Sequence, residues 1–278
     1  MAGGSWYFSS VCQNFMPSLR KKKNCPAGGG PRAIDAAEFA RTCLGFVPDE
    51  KQAEVLLSTS KRGILNCSRQ WGKSTVTAAK AVHRAFTRPG SLVLVASPGE
   101  RQSREFLRKA TEMVRKLGIP KHGDGDNAAS LLFPNGSRIV GLPGTEATVR
   151  GFSAVSLILI DEAAVVEDVL YQSLTPMLAV GDGDLWMMST PRGQRGFFYQ
   201  TWTAGGDDWH RVSVKATECE RIPAQFLDSE RRAMDAAWFE QEYLCEFTSS
   251  GTDWLDRMLL EDARAMDYSE VQTPPWRY

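Results

Sequence analysis

The segment Ile64-Leu-Asn-Cys-Ser-Arg-Gln-Trp-Gly-Lys-Ser-Thr75 decides the fold class of this 278-residue chain. An apolar run is followed by a polar loop, and Gly72-Lys73-Ser74 then opens the helical pattern Thr75 to Phe86. In a strand, loop and helix of this kind, backbone N–H groups point at a bound phosphate, the lysine reaches its outer oxygens and the hydroxyl holds Mg²⁺. The segment therefore predicts a phosphate loop.

The match to the general phosphate-loop motif is imperfect. That motif is G-x-x-x-x-G-K-[ST], and Cys67 stands where its first glycine belongs. A Gly-Lys-Ser triplet is also compatible with an ordinary helix N-terminus that carries a solvated lysine. On this segment alone, both interpretations stay open.

A second segment, Leu157-Ile-Leu-Ile-Asp161-Glu162-Ala-Ala, ends an apolar strand in two adjacent carboxylates. Burying such charges without a partner is costly, and Mg²⁺ is a suitable partner. Asp161 is predicted to hold the ion or its water, and Glu162 to polarise the water that attacks the γ-phosphate. The alternative is an acidic first turn of a helix. Combined with Lys73 and Ser74, the segment favours hydrolysis of a nucleoside triphosphate.

Two side chains upstream of the phosphate-loop strand are suited to binding a base. Phe46 and Gln52 flank Pro48 in the spacing F-x-P-x-x-x-Q. The Gln52 amide can both donate to and accept from an adenine edge, and the Phe46 ring can stack on the base. A packed phenylalanine beside a surface glutamine fits the spacing equally well, so both interpretations stay open.

The segment Leu185-Trp-Met-Met-Ser189-Thr190-Pro191 reads as a strand that ends in hydroxyl groups. Ligands of parallel α/β sheets gather at the carboxyl ends of the strands. Ser189 and Thr190 are therefore predicted to lie near the γ-phosphate and to couple its presence to the rest of the protein. An ordinary proline turn after a strand is the alternative.

Short apolar runs alternate with helical stretches along most of the chain. Strands that are apolar throughout and alternate with helices are typical of a largely parallel sheet covered on both faces. The predicted fold class is therefore α/β, with a mostly parallel central sheet, helices on both faces and an inserted β-hairpin at Leu131 to Val140, around Pro134-Asn135-Gly136. The predicted strands of the sheet are Ile64 to Cys67, Leu92 to Ala96, Leu157 to Ile160, Leu185 to Ser189 and Val212 to Val214.

Two helices can be predicted in more detail. A proline and two acidic residues at the start, and a basic turn with a glycine at the end, predict a helix over residues 48–60. A second helix, over 99–117, places its apolar residues on one side and four arginines on the opposite side. This arginine stripe is interpreted as a solvated face, with a DNA or subunit contact as the alternative. The arginines are Arg101, Arg104, Arg108 and Arg115.

Composition excludes several classes of protein. Lys plus Arg equals Asp plus Glu at 33 each, so the basic excess of a dedicated nucleic-acid binder is missing. The six cysteines form no C-x-x-C pair, which indicates neither a zinc site nor a disulfide framework. The longest apolar stretch, Val155 to Ile160 with Ser156 inside it, is far shorter than the ~20 residues of a membrane span. With no signal-peptide pattern at the N-terminus, a membrane or secreted protein is not expected.

The chain divides into three predicted parts. Residues 1–40 contain the basic run Arg20 to Lys23 and a glycine-rich stretch, and are predicted to form a flexible arm, with order beginning near Phe46. Residues 41–250 carry the phosphate-binding pattern as one domain. Residues 251–278 are predicted to form a C-terminal linker or helix.

The order of Gln52, Ser68-Arg-Gln-Trp-Gly-Lys-Ser74, Asp161-Glu162-Ala-Ala and Ser189-Thr190-Pro191 closely resembles that of bacteriophage terminase large subunits. In that family the phosphate loop is typically S-R-Q-x-G-K-[ST], which accounts for the missing first glycine. The nucleotide-binding residues predicted in this way are Phe46, Gln52, Ser68, Arg69, Gln70, Gly72, Lys73, Ser74 and Thr75.

The resemblance spans roughly residues 43–260, and Phe239 to Phe247 looks like the end of the terminase ATPase region. It implies a RecA-like fold, ATP and Mg²⁺ as cofactors, and ATP-driven translocation of double-stranded DNA into a procapsid. It further implies a homo-oligomeric ring, the portal protein and the terminase small subunit as partners, and a location in the host cytoplasm and transiently at the procapsid portal.

The same resemblance assigns an arginine finger. Arg150, in Thr148-Val-Arg-Gly-Phe152, matches the arginine that these motors insert into a neighbouring subunit's site, where a guanidinium contributes ~10³ to 10⁵ in rate. Arg69, inside the phosphate loop, is the rival that would act in its own subunit, and a surface arginine is the alternative for Arg150. The predicted catalytic residues are thus Lys73, Glu162, Arg150 and Arg69, with Ser74 and Asp161 as metal ligands.

Terminases of this type usually continue into a nuclease domain with clustered carboxylates. The acidic residues after position 250 instead share a helical pattern with inward-facing Leu255, Met258 and Leu259, which predicts a solvated helix. No nuclease activity is therefore expected of this chain. The acidic residues are Asp253, Asp256, Glu261, Asp262 and Asp267.

Two other functions compete with a packaging motor. A helicase-like DNA translocase shares the same elements but generally needs a second RecA-like lobe. A nucleotide-gated module that docks to a portal without hydrolysing ATP is the other, and Glu162 argues against it because binding alone needs no water-polarising carboxylate.

Overall fold

The computed structural model describes residues 34–119, 129–142 and 151–249, and its centre is a seven-stranded sheet. All neighbouring strands are parallel except the pair formed by Ser130–Leu132 and Arg138–Leu142. This confirms the predicted α/β fold with a mostly parallel sheet and an inserted hairpin. The strands are β1 (Arg62–Cys67), β2 (Leu92–Ala96), β3 (Ser130–Leu132), β4 (Arg138–Leu142), β5 (Leu157–Asp161), β6 (Asp184–Ser189) and β7 (Trp209–Val214), in the order β3-β4-β2-β5-β6-β1-β7.

Helices cover both faces of the sheet. One face packs against α1 to α4 and the other against α5 and α6, each through its own apolar core. Two single-turn helices, Thr175–Leu178 and Ala216–Glu218, complete the connections. The helices are α1 (Ala36–Thr42), α2 (Glu50–Leu57), α3 (Lys73–Thr87), α4 (Glu100–Lys116), α5 (Asp168–Leu174), α6 (Gly196–Ala204), α7 (Ala224–Ala233) and α8 (Ala236–Leu244).

The strands are apolar throughout because they are buried on both sides. In β2, Val93 and Val95 join the core beneath α1 to α4, whereas Leu94 and Ala96 join the core on the opposite face. Successive side chains of a strand point to opposite faces, so a sheet covered on both sides needs apolar residues at every position. In the three described stretches, no helix is long and apolar enough to span a membrane.

Helix α1 lies in a stretch where the sequence predicts a flexible arm and no order before Phe46. Asp35 caps it by accepting from two backbone N–H groups, and Phe39 is fully buried against the rings of His83 and Phe86. The packing of Phe39 against α3 therefore orders the chain from at least residue 36. The prediction that order begins only near Phe46 was wrong. Residues 1–33 lie outside the described residues.

Helix α2 is shorter than the predicted 48–60. The Asp49 carboxylate accepts a hydrogen bond from the Gln52 backbone N–H, and the Gln52 side chain bonds back to the Asp49 N–H. This capping box fixes the helix start after Asp49, because it satisfies two donors that the first turn leaves unpaired. At the other end, the backbone of Ser58 is no longer helical (φ −59°, ψ 129°).

Two of the four arginines in the stripe on α4 are paired within the helix. Arg104 bonds to Glu100, and Arg108 bonds to both Glu105 and Glu112, all on exposed side chains. Pairs spaced three or four residues apart are typical of a solvated helix surface. The contacts therefore favour the solvated-face interpretation of these two arginines.

Changing Gly63 to alanine is expected to destabilise the fold by about 1–3 kcal/mol, because the core has no room for an added methyl group. A Cβ at this position would lie 2.3 Å from ring carbons of Trp186, which is fully buried on the neighbouring strand. Urea unfolding measures the change. Gly99→Ala is the control, because its Cβ would meet only the flexible end of Gln102, and equal stability of the two variants would contradict the expectation.

Candidate active site

The loop between β1 and α3 is shaped by two residues with positive φ. Gly72 (φ 100°) precedes the first helical residue, and Gln70 (φ 65°) turns the chain two residues earlier. A non-glycine residue in this region is strained and is held only where the surroundings fix it. No side chain caps the start of α3, and a helix start of this kind offers backbone N–H groups to a phosphate.

Lys73 is buried beneath this loop. Its Nζ donates to the carbonyl oxygens of Cys67 (2.7 Å) and Ser68 (3.0 Å), so the ammonium is held at the centre of the loop. No carboxylate among the described residues forms an ion pair with it. A buried cation bonded only to carbonyl oxygens retains its full attraction for an anionic ligand.

Ser74 and Asp161 meet across the sheet. The Ser74 hydroxyl donates to a carboxylate oxygen of Asp161 at 3.0 Å, which joins the start of α3 to the end of β5. Burial raises the pKa of Asp161 to about 6, and the neighbouring Glu162 carboxylate adds to this, whereas the Ser74 hydroxyl and the Lys73 charge lower it. Asp161 is thus a buried carboxylate that a cation would stabilise.

Glu162 leaves the strand and faces the cleft. Its φ of 54° is unusual for a glutamate, and the next residue, Ala163, donates its N–H to the Met188 carbonyl of β6 at 3.0 Å. The adjacent carboxylates are therefore separated in space, with Asp161 buried at the strand end and Glu162 at the wall of the cleft. Such strain is found at functional sites.

Strand β6 places Ser189 between the two halves of the site. It lies between β1 and β5, and Ser189 is in register with Asn66 of β1. The hydroxyl of Ser189 is buried without a hydrogen-bond partner, and Thr190 is buried beside it. Of the two residues predicted to couple phosphate to the protein, Ser189 therefore ends β6 and Thr190 directly follows it. Their coupling role stays a prediction.

Gln52 is buried and not on the surface. Its Nε2 donates to the Trp71 carbonyl at 2.8 Å, and its Oε1 accepts from the Asp49 N–H. The amide therefore ties α2 to the phosphate loop, and both of its polar atoms are already bonded to backbone. Phe46, by contrast, packs partly against the core and also lines the cleft, as a base-stacking ring would.

Arg69 and Arg150 are the two candidates for the arginine finger, and the structure describes only Arg69. Arg69 is bonded through its guanidinium to the buried carboxylate of Glu242 on α8, while its own side chain is mostly exposed. The pair uses Nε and Nη2 of Arg69, and Arg69 lines the cleft while it is bonded to Glu242. Arg150 lies outside the described residues.

A cleft of about 770 Å³ runs over the phosphate loop and collects most of the predicted residues. Phe46, Gln52, Arg69, Gln70 and the whole run from Gly72 to Thr75 line it together with Glu162. Asp161 and Ser68 lie beneath it as buried residues. The lining of the cleft comes from six separate segments of the chain, and sequence spacing alone does not establish that they meet.

The cleft is also lined by four polar residues that the sequence pattern did not identify. Arg221 donates to the Trp71 carbonyl at 2.6 Å and to Asp49, and Arg192 directly follows the Ser189-Thr190-Pro191 segment. The position of Arg192 was readable from the sequence, because the strand end before it was already a candidate. Gln102 and Lys109 come from α4 and carried no such signal.

The charge of the cleft suits a metal-bound polyphosphate. Its lining holds five cations against the single carboxylate of Glu162, and the buried Asp161 lies below. Mg²⁺ takes oxygen ligands and usually binds through one or two carboxylates together with substrate phosphates. The Ser74 hydroxyl and the Asp161 carboxylate are donors of this kind, so the residues fit the ion. The cations are Arg69, Lys73, Lys109, Arg192 and Arg221.

A phosphate loop follows β1, an acidic pair stands at the end of β5, and β6 lies between these two strands. This arrangement defines the RecA-like class of P-loop nucleoside triphosphatase folds. A family model described as terminase large subunit, T4likevirus-type, N-terminal, matches residues 64–262. Since this match covers most of the chain, the protein belongs to the terminase large subunit family. This confirms the resemblance read from the sequence.

One curated relative and two solved structures show what this chain is similar to in sequence and in fold. The terminase large subunit of Thermus virus P23-45 is 29% identical over 271 residues, covering 80% of this chain and 56% of the relative. The large terminase ATPase domain of Thermus phage P74-26 superposes with a TM-score of 0.69 at 23% identity, over 77% of this chain and 100% of that one. A large terminase from a thermophilic bacteriophage, in complex with ADP, gives a TM-score of 0.63 at 15% identity, over 72% of this chain and 54% of that one. This chain spans about half the length of the curated relatives it matches.

Proposed function

We propose that this chain is the ATPase part of a viral DNA-packaging motor, hydrolysing ATP with Mg²⁺ to drive double-stranded DNA into a procapsid. The observation that carries the proposal is the hydrogen bond of 3.0 Å between Ser74 and Asp161. It joins a phosphate-binding helix start to a strand-end carboxylate, and a metal-bound triphosphate requires these two groups together.

Five residues at the site have distinct parts in this function. Lys73 and the N–H groups at the start of α3 bind the phosphate tail of ATP. Ser74 and Asp161 are the side chains suited to hold Mg²⁺, which when bound neutralises charge on the phosphates. Glu162 faces the same cleft and orients and polarises the attacking water. Phe46 contributes the ring that stacks on the base.

The remaining partners follow from the family. A terminase large subunit acts on double-stranded DNA, with the portal protein and the terminase small subunit as partners, as a homo-oligomeric ring in the host cytoplasm and at the procapsid portal. In such a ring, Arg150 completes the site of the neighbouring subunit, and Ser189 with Thr190 couples the state of the nucleotide to movement. What supports this is the family membership together with the buried, unpartnered Ser189 hydroxyl beside the site.

The proposal is tested by measuring ATP binding and ATP hydrolysis, with and without duplex DNA, for the wild type and for Lys73→Ala. Loss of the buried ammonium is expected to weaken ATP binding about ten- to hundredfold, since a hydrogen bond to a charged group contributes about 1.5–3 kcal/mol. Lys51→Ala, which removes an exposed lysine on α2, is the control. Wild-type protein that neither binds nor hydrolyses ATP would refute the proposal.

A further inference from the structure

Lys109 is a cation in the cleft that none of the sequence motifs includes. It comes from the middle of α4, lines the same cleft as Lys73 and Glu162, and is half-buried. Gln102, seven residues earlier and therefore on the same side of the helix, lines the cleft as well. This side of α4 thus forms a wall of the site opposite the one that carries Phe46.

Lys109 has no carboxylate partner on its own helix. The acidic residues within one turn of it are Glu105 and Glu112, and both are bonded to Arg108. Within the described part of the chain, no ion pair or hydrogen bond of the Lys109 ammonium is formed. Lys109 shares the cleft with four other cations, so its ammonium is expected to attract an anion that binds there.

The packing of α4 shows on which side of the cleft Lys109 lies. Helix α4 packs over β2 and β4, and β2 pairs with β5, the strand that ends in Asp161, whereas α2 packs toward β7 at the other edge of the sheet. Phe46 and Gln52, by contrast, lie where α2 meets the outer end of the phosphate loop. Lys109 therefore lies on the Ser74 and Asp161 side, away from the base.

We propose that Lys109 contacts the terminal phosphate of bound ATP from the α4 side of the cleft, and so distinguishes ATP from ADP. The inference rests on the proposed function, because it places a second ammonium at the nucleotide that Lys73 binds. Lys73 approaches from beneath the loop, and Lys109 approaches from the opposite wall. With ADP bound, the Lys109 ammonium loses its phosphate partner, which makes α4 an element that responds to hydrolysis.

The test is the affinity of wild type, Lys109→Met and Lys109→Arg for a non-hydrolysable ATP analogue and for ADP, measured by calorimetry in the presence of Mg²⁺. Lys109→Met is expected to bind the analogue about ten- to hundredfold more weakly and ADP within about twofold of wild type, whereas Lys109→Arg retains most of the affinity. Lys116→Met, an exposed lysine two turns further along α4, is the matched control and is expected to bind both ligands like wild type.

The outcomes are separable. An equal loss of affinity for both nucleotides in Lys109→Met, or no loss for either, overturns the assignment of Lys109 to the terminal phosphate while the proposed function stands. Wild-type protein that binds neither nucleotide overturns the proposed function itself. Lys109→Gln serves in place of Lys109→Met if the latter has lost its circular dichroism signal, because it keeps a polar side chain of similar reach.

Discussion

Changing Glu162 to glutamine is expected to lower the rate of ATP hydrolysis by about 10²- to 10⁴-fold, the contribution of a positioned general base. Glutamine has nearly the same size but cannot accept a proton from the attacking water. Because Glu162 faces the cleft and Asp161 is the buried member of the pair, binding of ATP is expected to change little. Single-turnover hydrolysis and equilibrium binding, measured on the same preparation, separate the two effects.

The matched control is Glu167→Gln, which removes an exposed carboxylate five residues later, at the start of α5. It is expected to hydrolyse ATP at the wild-type rate. Normal turnover in Glu162→Gln would remove the catalytic role of Glu162 and favour a nucleotide-gated module that docks to a portal without hydrolysing ATP. A parallel loss of binding would instead indicate that the change has disturbed the acidic pair as a whole.

Arg150→Ala is expected to reduce ATP hydrolysis by ~10³ to 10⁵, the contribution of arginine fingers generally. The guanidinium would neutralise charge on the transferring phosphoryl group, and it would do so in the neighbouring subunit of a ring. ATPase activity measured across protein concentration is expected to rise more steeply than linearly for the wild type, since the complete site then requires two chains.

A mixing experiment tests whether Arg150 acts between subunits. Arg150→Ala has an intact phosphate loop, and Lys73→Ala has an intact arginine, so mixtures are expected to regain activity that neither variant has alone. Absence of rescue at any mixing ratio would count against catalysis between subunits and would favour Arg69 in its own subunit. Arg115→Ala, an exposed arginine of α4, is the control for loss of a surface charge.

The sequence predicted the elements whose signal is local. The phosphate loop, the acidic pair after β5 and the hydroxyls after β6 each lie within a dozen consecutive residues, at the end of an apolar run. Because parallel strands that alternate with helices end at the same edge of a sheet, this order predicted that Lys73, Ser74 and Asp161 would converge. The hydrogen bond between Ser74 and Asp161 agrees with that expectation.

Helix α1 shows where local signals fail. The segment 36–42 is short and rich in alanine, so it shows little hydrophobic periodicity. Isolated helices of this length are unstable in water. What orders them is the burial of Phe39 against His83 and Phe86, a contact between segments more than forty residues apart. Local sequence patterns therefore could not predict helix α1, because its order depends on a tertiary contact.

The sequence alone determined the fold class and the family, and it predicted the central residues of the candidate site, because phosphate binding depends on backbone geometry that a short motif encodes. Only the tertiary structure decided which way the other side chains face. In the folded chain, the Gln52 amide donates to the Trp71 carbonyl and Arg69 is bonded to Glu242. Lys109 lines the cleft. The physical reason is that each of these contacts joins segments far apart in the chain, and its geometry follows from how helices pack on the sheet.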